Sequence, residues 1–150
     1  MPDLERFLAA AVRSAEHTAE ALGVGQVVHS SAQSEPHDSG VGLELFSDVL
    51  TLDVALFACT RAVRLVAFAL TELEEPREIL DDSLREFLNI VGGGMKQSLF
   101  ERLPNLRLGL PRSLALADIL SFGRSAELSV AGSRFTLAVR APQQYSFRQL

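Results

Sequence analysis

The sequence predicts an α+β domain, a mainly antiparallel sheet with helices packed over one face. Three observations lead there. Hydrophobic spacing runs in the order helix, strands, two helices, strands. The strand runs come as close pairs with short turns, the mark of hairpins rather than of parallel crossovers. The 150 residues contain no linker long enough to divide them, so residues 1–150 read as a single domain.

The first helix covers residues 3–22. Leu4, Phe7, Leu8, Ala11, Val12, Ala15, Ala19 and Leu22 make one stripe of period 3.6, with Glu5, Arg6, Ser14 and Glu16 mostly outside it. Gly23 follows as a stop. Gln26–Ser30 is a short strand, and the polar residues 31–40, with Pro36 and Gly40, read as an exposed loop. Val41–Phe46 and Leu50–Ala58 form a hairpin around Ser47-Asp48, the second strand burying Leu52, Val54 and Leu56 on one face.

Helical spacing returns over Thr60 to about Leu73, and Pro76 suits the start of the next helix. That helix is the longest, from about Arg77 to Arg102, with Leu80, Leu84, Phe87, Leu88, Val91, Met95 and Leu99 as its buried stripe and Pro104-Asn105 as its end. Leu106–Leu110 alternates as a strand and closes on Pro111. Residues 112–124 read ambiguously, as a short helix plus a loop. Ala126–Val130 and Arg134–Val139 make a second hairpin around Ala131-Gly132-Ser133, and 142–150 is a loose tail. The two hairpin-bearing halves hint at duplication, without a convincing repeat.

Composition narrows the function. The chain is 47% hydrophobic and 22% charged, a globular mixture. Its net charge of −5, with scattered Lys and Arg, disfavours nucleic acid, which needs a clustered basic footprint. Cys59 is the only cysteine, which excludes an internal disulfide, and its apolar neighbours mark it as a buried thiol. No zinc spacing and no P-loop occur; Gly-Gly-Gly-Met-Lys lacks the ending that a P-loop needs. The N-terminal residues lack a signal-peptide core, and the longest apolar run, Leu65–Leu70, is too short to span a bilayer. A soluble, cytoplasmic protein without membrane insertion is the expectation.

The informative segment is Asp81 to Lys96. At helical spacing Asp82, Glu86, Asn89, Gly93 and Lys96 share one face, opposite Leu84, Phe87, Leu88, Val91 and Met95. Gly92, Gly93 and Gly94 each cost a helix interior about 1 kcal/mol relative to alanine. Either the helix breaks near Gly92, or another backbone or a partner approaches closely there. A plain solvated face, with the glycines against a neighbouring helix, also fits this pattern. His17, His29 and the run His37-Asp38-Ser39 are weaker candidates, since adjacent triad-type residues cannot form a relay. Glu72, Glu74 and Glu75 read as a solvated helix end, and Asp81-Asp82 as favourable charges near a helix start.

The run Glu86-x-x-Asn89-Ile90-Val91-Gly92-Gly93, with Lys96 three residues on, resembles the signature of the CheC/CheX/FliY phosphatases of bacterial chemotaxis, the CheX branch above all. Glu86, Asn89, Gly93 and Lys96 match that signature; Arg85 stands where a glycine is usual, Gly94 where an asparagine is, and no glycine follows Pro111 at the expected place. The strand ending in Pro111 and the flanking hairpins come in the same order.

The resemblance implies a CheX/CheC-like fold and a phosphatase acting on the aspartyl phosphate of a CheY-type response regulator. Glu86 would dock the partner through a lysine and Asn89 would orient the attacking water, with Asp82, Gly93 and Lys96 completing the docking face. No cofactor of its own is implied, because Mg²⁺ is expected in the partner's active site. A homodimer joined through sheet edges is implied as well. The alternative is a non-catalytic module of the same fold that binds a response regulator or the flagellar motor. Of the departures, Arg85 bears on partner choice and Gly94 on looseness of the helix end.

Overall fold

The computed structural model describes residues 3–29, 36–72 and 77–141. Helix α1, Leu4–Ala21, begins where Asp3 accepts a hydrogen bond from the Arg6 amide, 3.3 Å. It ends before Gly23, whose φ of +79° turns the chain away. Strands β1 (Val27–His29), β2 (Ser39–Phe46) and β3 (Thr51–Ala58) follow, then helices α2 (Thr60–Thr71) and α3 (Arg77–Ser98). Strands β4 (Arg107–Leu108) and β5 (Arg112–Ser113), a 3₁₀ turn over Leu116–Ser121, and strands β6 (Arg124–Val130) and β7 (Ser133–Arg140) complete the described chain.

The seven strands form one antiparallel sheet in the order β1-β6-β7-β3-β2-β4, with β5 also pairing β2. Both predicted hairpins are present, and β3 and β7 lie side by side at the centre. The β6–β7 turn needs left-handed backbone at Ala131 (φ +51°) and Gly132 (φ +76°), the conformation that matches strand twist in a tight hairpin.

All three helices cover one face of this sheet. Val41, Leu43, Leu45, Leu52, Val54, Leu56, Leu128, Leu137 and Val139 project from it into a core shared with Phe7, Val63, Leu84, Leu88, Val91 and Met95. Each such side chain contributes about 1.5–3 kcal/mol when fully buried. Ser14, which the sequence placed mostly outside the stripe of α1, is buried, and its hydroxyl donates to the Val91 carbonyl of α3 at 2.7 Å. The helices are thus joined by a polar bond inside an apolar contact.

The second face of β3 is buried too, which alternation alone did not suggest. Ala55, Phe57 and Ala138 lie under Leu114, Ile119 and Phe122, so the ambiguous segment 112–124 is a cover for that face. Phe122 meets Phe57 edge to face at 6.1 Å, and the Arg140 guanidinium sits 4.4 Å above the Phe122 ring. Arg140 also donates to the buried Asp53 carboxylate, 2.9 Å, across the β3–β7 pair.

Several boundaries differ from the sequence expectation. Helix α3 ends at Ser98, and the chain continues to Leu103 in turns capped on Met95 and Leu99. The strand read over 106–110 is shorter, Arg107–Leu108, with the Gly109 amide also donating to the Glu44 carbonyl of β2 at 2.7 Å; Leu110 is exposed. Of the loop over 31–40, Ser39 and Gly40 belong to β2, and residues 31–35 lie outside the described residues. The end of that loop is fastened, since Asp38 caps α2 through the Thr60 amide and hydroxyl at 3.0 and 2.7 Å. Pro76 and the tail 142–150 also lie outside the described residues. Cys59 is buried, as its neighbours indicated. Among the described residues, no helix is long and apolar enough to cross a membrane.

Candidate functional site

Helix α3 runs without a break through its glycines, so the face read from spacing exists as a surface. At about 100° per residue, Asp82, Glu86, Asn89, Gly93 and Lys96 fall within a sector of roughly 80°. Asp82, Glu86 and Lys96 are exposed and Asn89 and Gly93 half exposed, whereas Leu84, Phe87, Leu88, Val91 and Met95 are buried on the other side. Among the described residues, none engages the side chains of Glu86, Asn89 or Lys96 in a hydrogen bond or ion pair. The Asn89 amide therefore has a donor and an acceptor available on one group.

The three glycines have separate roles. A methyl on Gly92 would run into the Leu43 side chain and come within 3.3 Å of Leu108, so this glycine seats α3 on β2. A methyl on Gly94 would meet the Ser14 hydroxyl, the group bonded to Val91. Gly94 thus lets α1 approach, and the departure at this position tightens the helix pair where the sequence suggested a loosened end. Gly93 has nothing within 4 Å of its missing β-carbon. It leaves bare backbone beside Asn89 for no reason internal to the described fold.

These environments predict opposite outcomes for one substitution. Gly93→Ala should raise stability by about 0.5–1 kcal/mol through helix propensity. Gly92→Ala should lower it by about 1–3 kcal/mol, because Leu43 is fully buried and has little room to yield. Urea unfolding midpoints of the two variants check the pair.

Asp82 is placed on the face but is not free: its carboxylate is held by Arg85, one turn on. The other arm of the Arg85 guanidinium donates to the Ser113 hydroxyl on β5 at 2.8 Å. Arg85 and Ser113 were not among the site residues read from sequence, since nothing local links positions 28 residues apart. The interhelical bond from Ser14 was equally hidden.

The weaker candidates disperse. His29 is exposed on β1, at the sheet edge. His17 is exposed on α1, beside a groove lined by Arg13, Ile90, Gly94 and Gln97. His37 is half buried, its Nε2 2.7 Å from the Thr136 hydroxyl; burial, and then the Arg134 charge, lowers its pKa below 6.5. Asp38 is used as a helix cap and Ser39 as a strand residue, so no relay forms there. An apolar void lined by Val27, Leu56, Leu84, Phe87 and Phe135 measures about 20 Å³, room for little more than a water, and is no ligand chamber. Among the described residues, no three His, Cys, Asp or Glu side chains gather as a metal site.

No protein-family model matches the chain, and no curated protein matches it by sequence. Solved structures do match. The chain is similar to a chemotaxis protein CheX from Desulfovibrio desulfuricans at 10% identity and TM-score 0.71, over 91% of this chain and 99% of that one. It is similar to the chain compared in the Borrelia burgdorferi CheX-CheY-BeF3-Mg²⁺ complex at 14% identity and TM-score 0.66, over 90% and 96%. It is similar to Thermotoga maritima FliY at 18% identity and TM-score 0.56, over 93% and 88%. These identities speak for architecture, and the agreement spans nearly the whole of each chain. The chain has the fold shared by CheX and FliY proteins.

Proposed function

We propose that the chain is a protein phosphatase that accelerates hydrolysis of the aspartyl phosphate on a CheY-type response regulator. The observation that carries this reading is the face of α3, where Glu86 and Asn89 stand one turn apart, outward and unengaged, beside the bare backbone of Gly93. The fold supports it, since a structure of this architecture contains CheX together with CheY, BeF3 and Mg²⁺.

In this reading Glu86 docks against a lysine of the partner and Asn89 enters the partner's active site. The Asn89 side-chain oxygen accepts a hydrogen bond from a water and orients it in line with the phosphorus. Phosphoryl transfer depends mainly on positioning and charge stabilisation, so a neutral amide that fixes one water contributes through positioning. Mg²⁺ belongs to the partner's site. Lys96 lies in the last turn of α3, where its charge also suits the helix dipole. The same reading places the protein in the cytoplasm with its partner and includes a homodimer formed through sheet edges.

Docking and chemistry separate in one variant. Glu86→Ala should raise KM for the phosphorylated receiver about tenfold, because it removes one member of an intermolecular charge pair. Its kcat should change little. Steady-state dephosphorylation over a range of receiver concentrations checks this, and an unchanged KM removes Glu86 from the docking role.

A further inference from the structure

The geometry points to Arg85 as a second catalytic group in this reaction, one whose guanidinium leaves Asp82 and Ser113 on docking and closes on the phosphoryl oxygens beside Asn89. The inference rests on the phosphatase reading above and goes beyond it, since that reading gives this chain no positive charge at the reacting centre.

Arg85 and Asn89 are four residues apart on a continuous helix, so their β-carbons lie about 6 Å apart on adjacent turns. The long side chain easily covers that separation. At rest the guanidinium is turned along the flank of α3 toward β5, bonded to Asp82 and Ser113. Both partners are weak holds. The Asp82 side chain is 71% exposed and Ser113 is exposed, and ion pairs in water contribute little. Exchanging them for a phosphoryl group replaces a solvated pair with a planar fork on a multiply charged anion.

Charge decides between Arg85 and the other cation of the face. In the transition state negative charge spreads over three equatorial oxygens. Asn89 is neutral and Glu86 is negative, so neither offsets it. Lys96 lies seven residues beyond Asn89, about 10 Å along the helix axis, and presents a point charge rather than a fork. Arg85 is the cation one turn from the amide.

The step balances simply. The oxygen of the water held by Asn89 bonds to phosphorus, and the bond from phosphorus to the aspartyl oxygen breaks. Its electron pair stays on the released carboxylate, and the water proton passes to solvent. Arg85 remains protonated throughout and supplies charge alone.

The test uses CheY-type receivers phosphorylated with acetyl phosphate, with wild type, Arg85→Ala, Arg85→Lys and Ser113→Ala compared in kcat and KM. Arg85→Ala should lower kcat about 10- to 100-fold and raise KM severalfold, and Arg85→Lys should recover part of both losses. Ser113→Ala removes the resting hold and keeps the guanidinium, so it should retain wild-type kcat. Binding adds an independent readout. Arg85→Ala should weaken affinity for the receiver loaded with beryllofluoride and Mg²⁺ more than for the unloaded receiver. A wild-type or raised kcat in Arg85→Ala overturns the inference and leaves the phosphatase reading standing. An equal loss in Ser113→Ala shows a tether only and overturns it too. Wild-type protein without effect on any receiver removes both readings together.

Discussion

Asn89→Ala is expected to reduce acceleration of receiver dephosphorylation by about 100-fold or more, since under the proposed function it removes the group that positions the attacking water. Binding of the receiver should persist through Glu86, Gly93 and Lys96, so the variant should still saturate. Stability should move by no more than about 0.5 kcal/mol, because the side chain is half exposed and makes no hydrogen bond to a described residue. The combination is diagnostic. A folded variant that binds and does not accelerate identifies Asn89 as part of the chemistry, whereas one that accelerates like wild type moves the chemistry elsewhere. The same comparison separates an enzyme from a binding module of this fold, in which Asn89→Ala would alter affinity alone.

Arg140→Ala should produce the largest loss of stability. The Asp53 carboxylate is buried on the central strand β3, and Arg140 is paired directly across from it on β7. Truncation leaves a buried charge uncompensated, at about 3–5 kcal/mol. It also strips the cation from the face of Phe122 and one hold on the 3₁₀ turn, where Arg140 bonds Ser121. For a chain of this size the melting temperature should fall by roughly 6–20 °C. The double variant Asp53→Asn, Arg140→Ala should recover a substantial part, because no buried charge is then left unpaired. Calorimetry on the two proteins checks both statements. Equal melting temperatures for Arg140→Ala and wild type would show that the pair adds nothing across β3 and β7.

Elements with strong local periodicity were legible in the sequence. The stripes of α1 and α3, the alternation in β3 and the Ala131-Gly132 turn each carry their instructions within a few residues, and each forms where expected. The face bearing Glu86 and Asn89 follows from the same arithmetic, since an unbroken helix fixes which side chains are neighbours. Long-range partners left no such trace. Ser14 reads as polar at a stripe's margin until Gly94 brings α3 against it, and Phe57 reads as one more apolar strand residue until Phe122 folds over it. The segment 112–124 is weakly periodic because its shape is set by the sheet face it covers. The glycines show the limit most clearly: their cost is visible in the sequence, but only the folded chain separates Gly92 and Gly94, packed inside the molecule, from Gly93, which is not.

The fold and the α3 face are common to a phosphatase and a binding module, so the deciding measurement is chemical. Receivers of the CheY type from the source organism, phosphorylated with acetyl phosphate and freed of it, are followed with and without substoichiometric amounts of this protein. The account predicts that at least one receiver loses its phosphate many times faster and that each protein molecule turns over repeatedly. Phosphate lifetimes that stay the same for every receiver, at concentrations where binding is saturated, would contradict it.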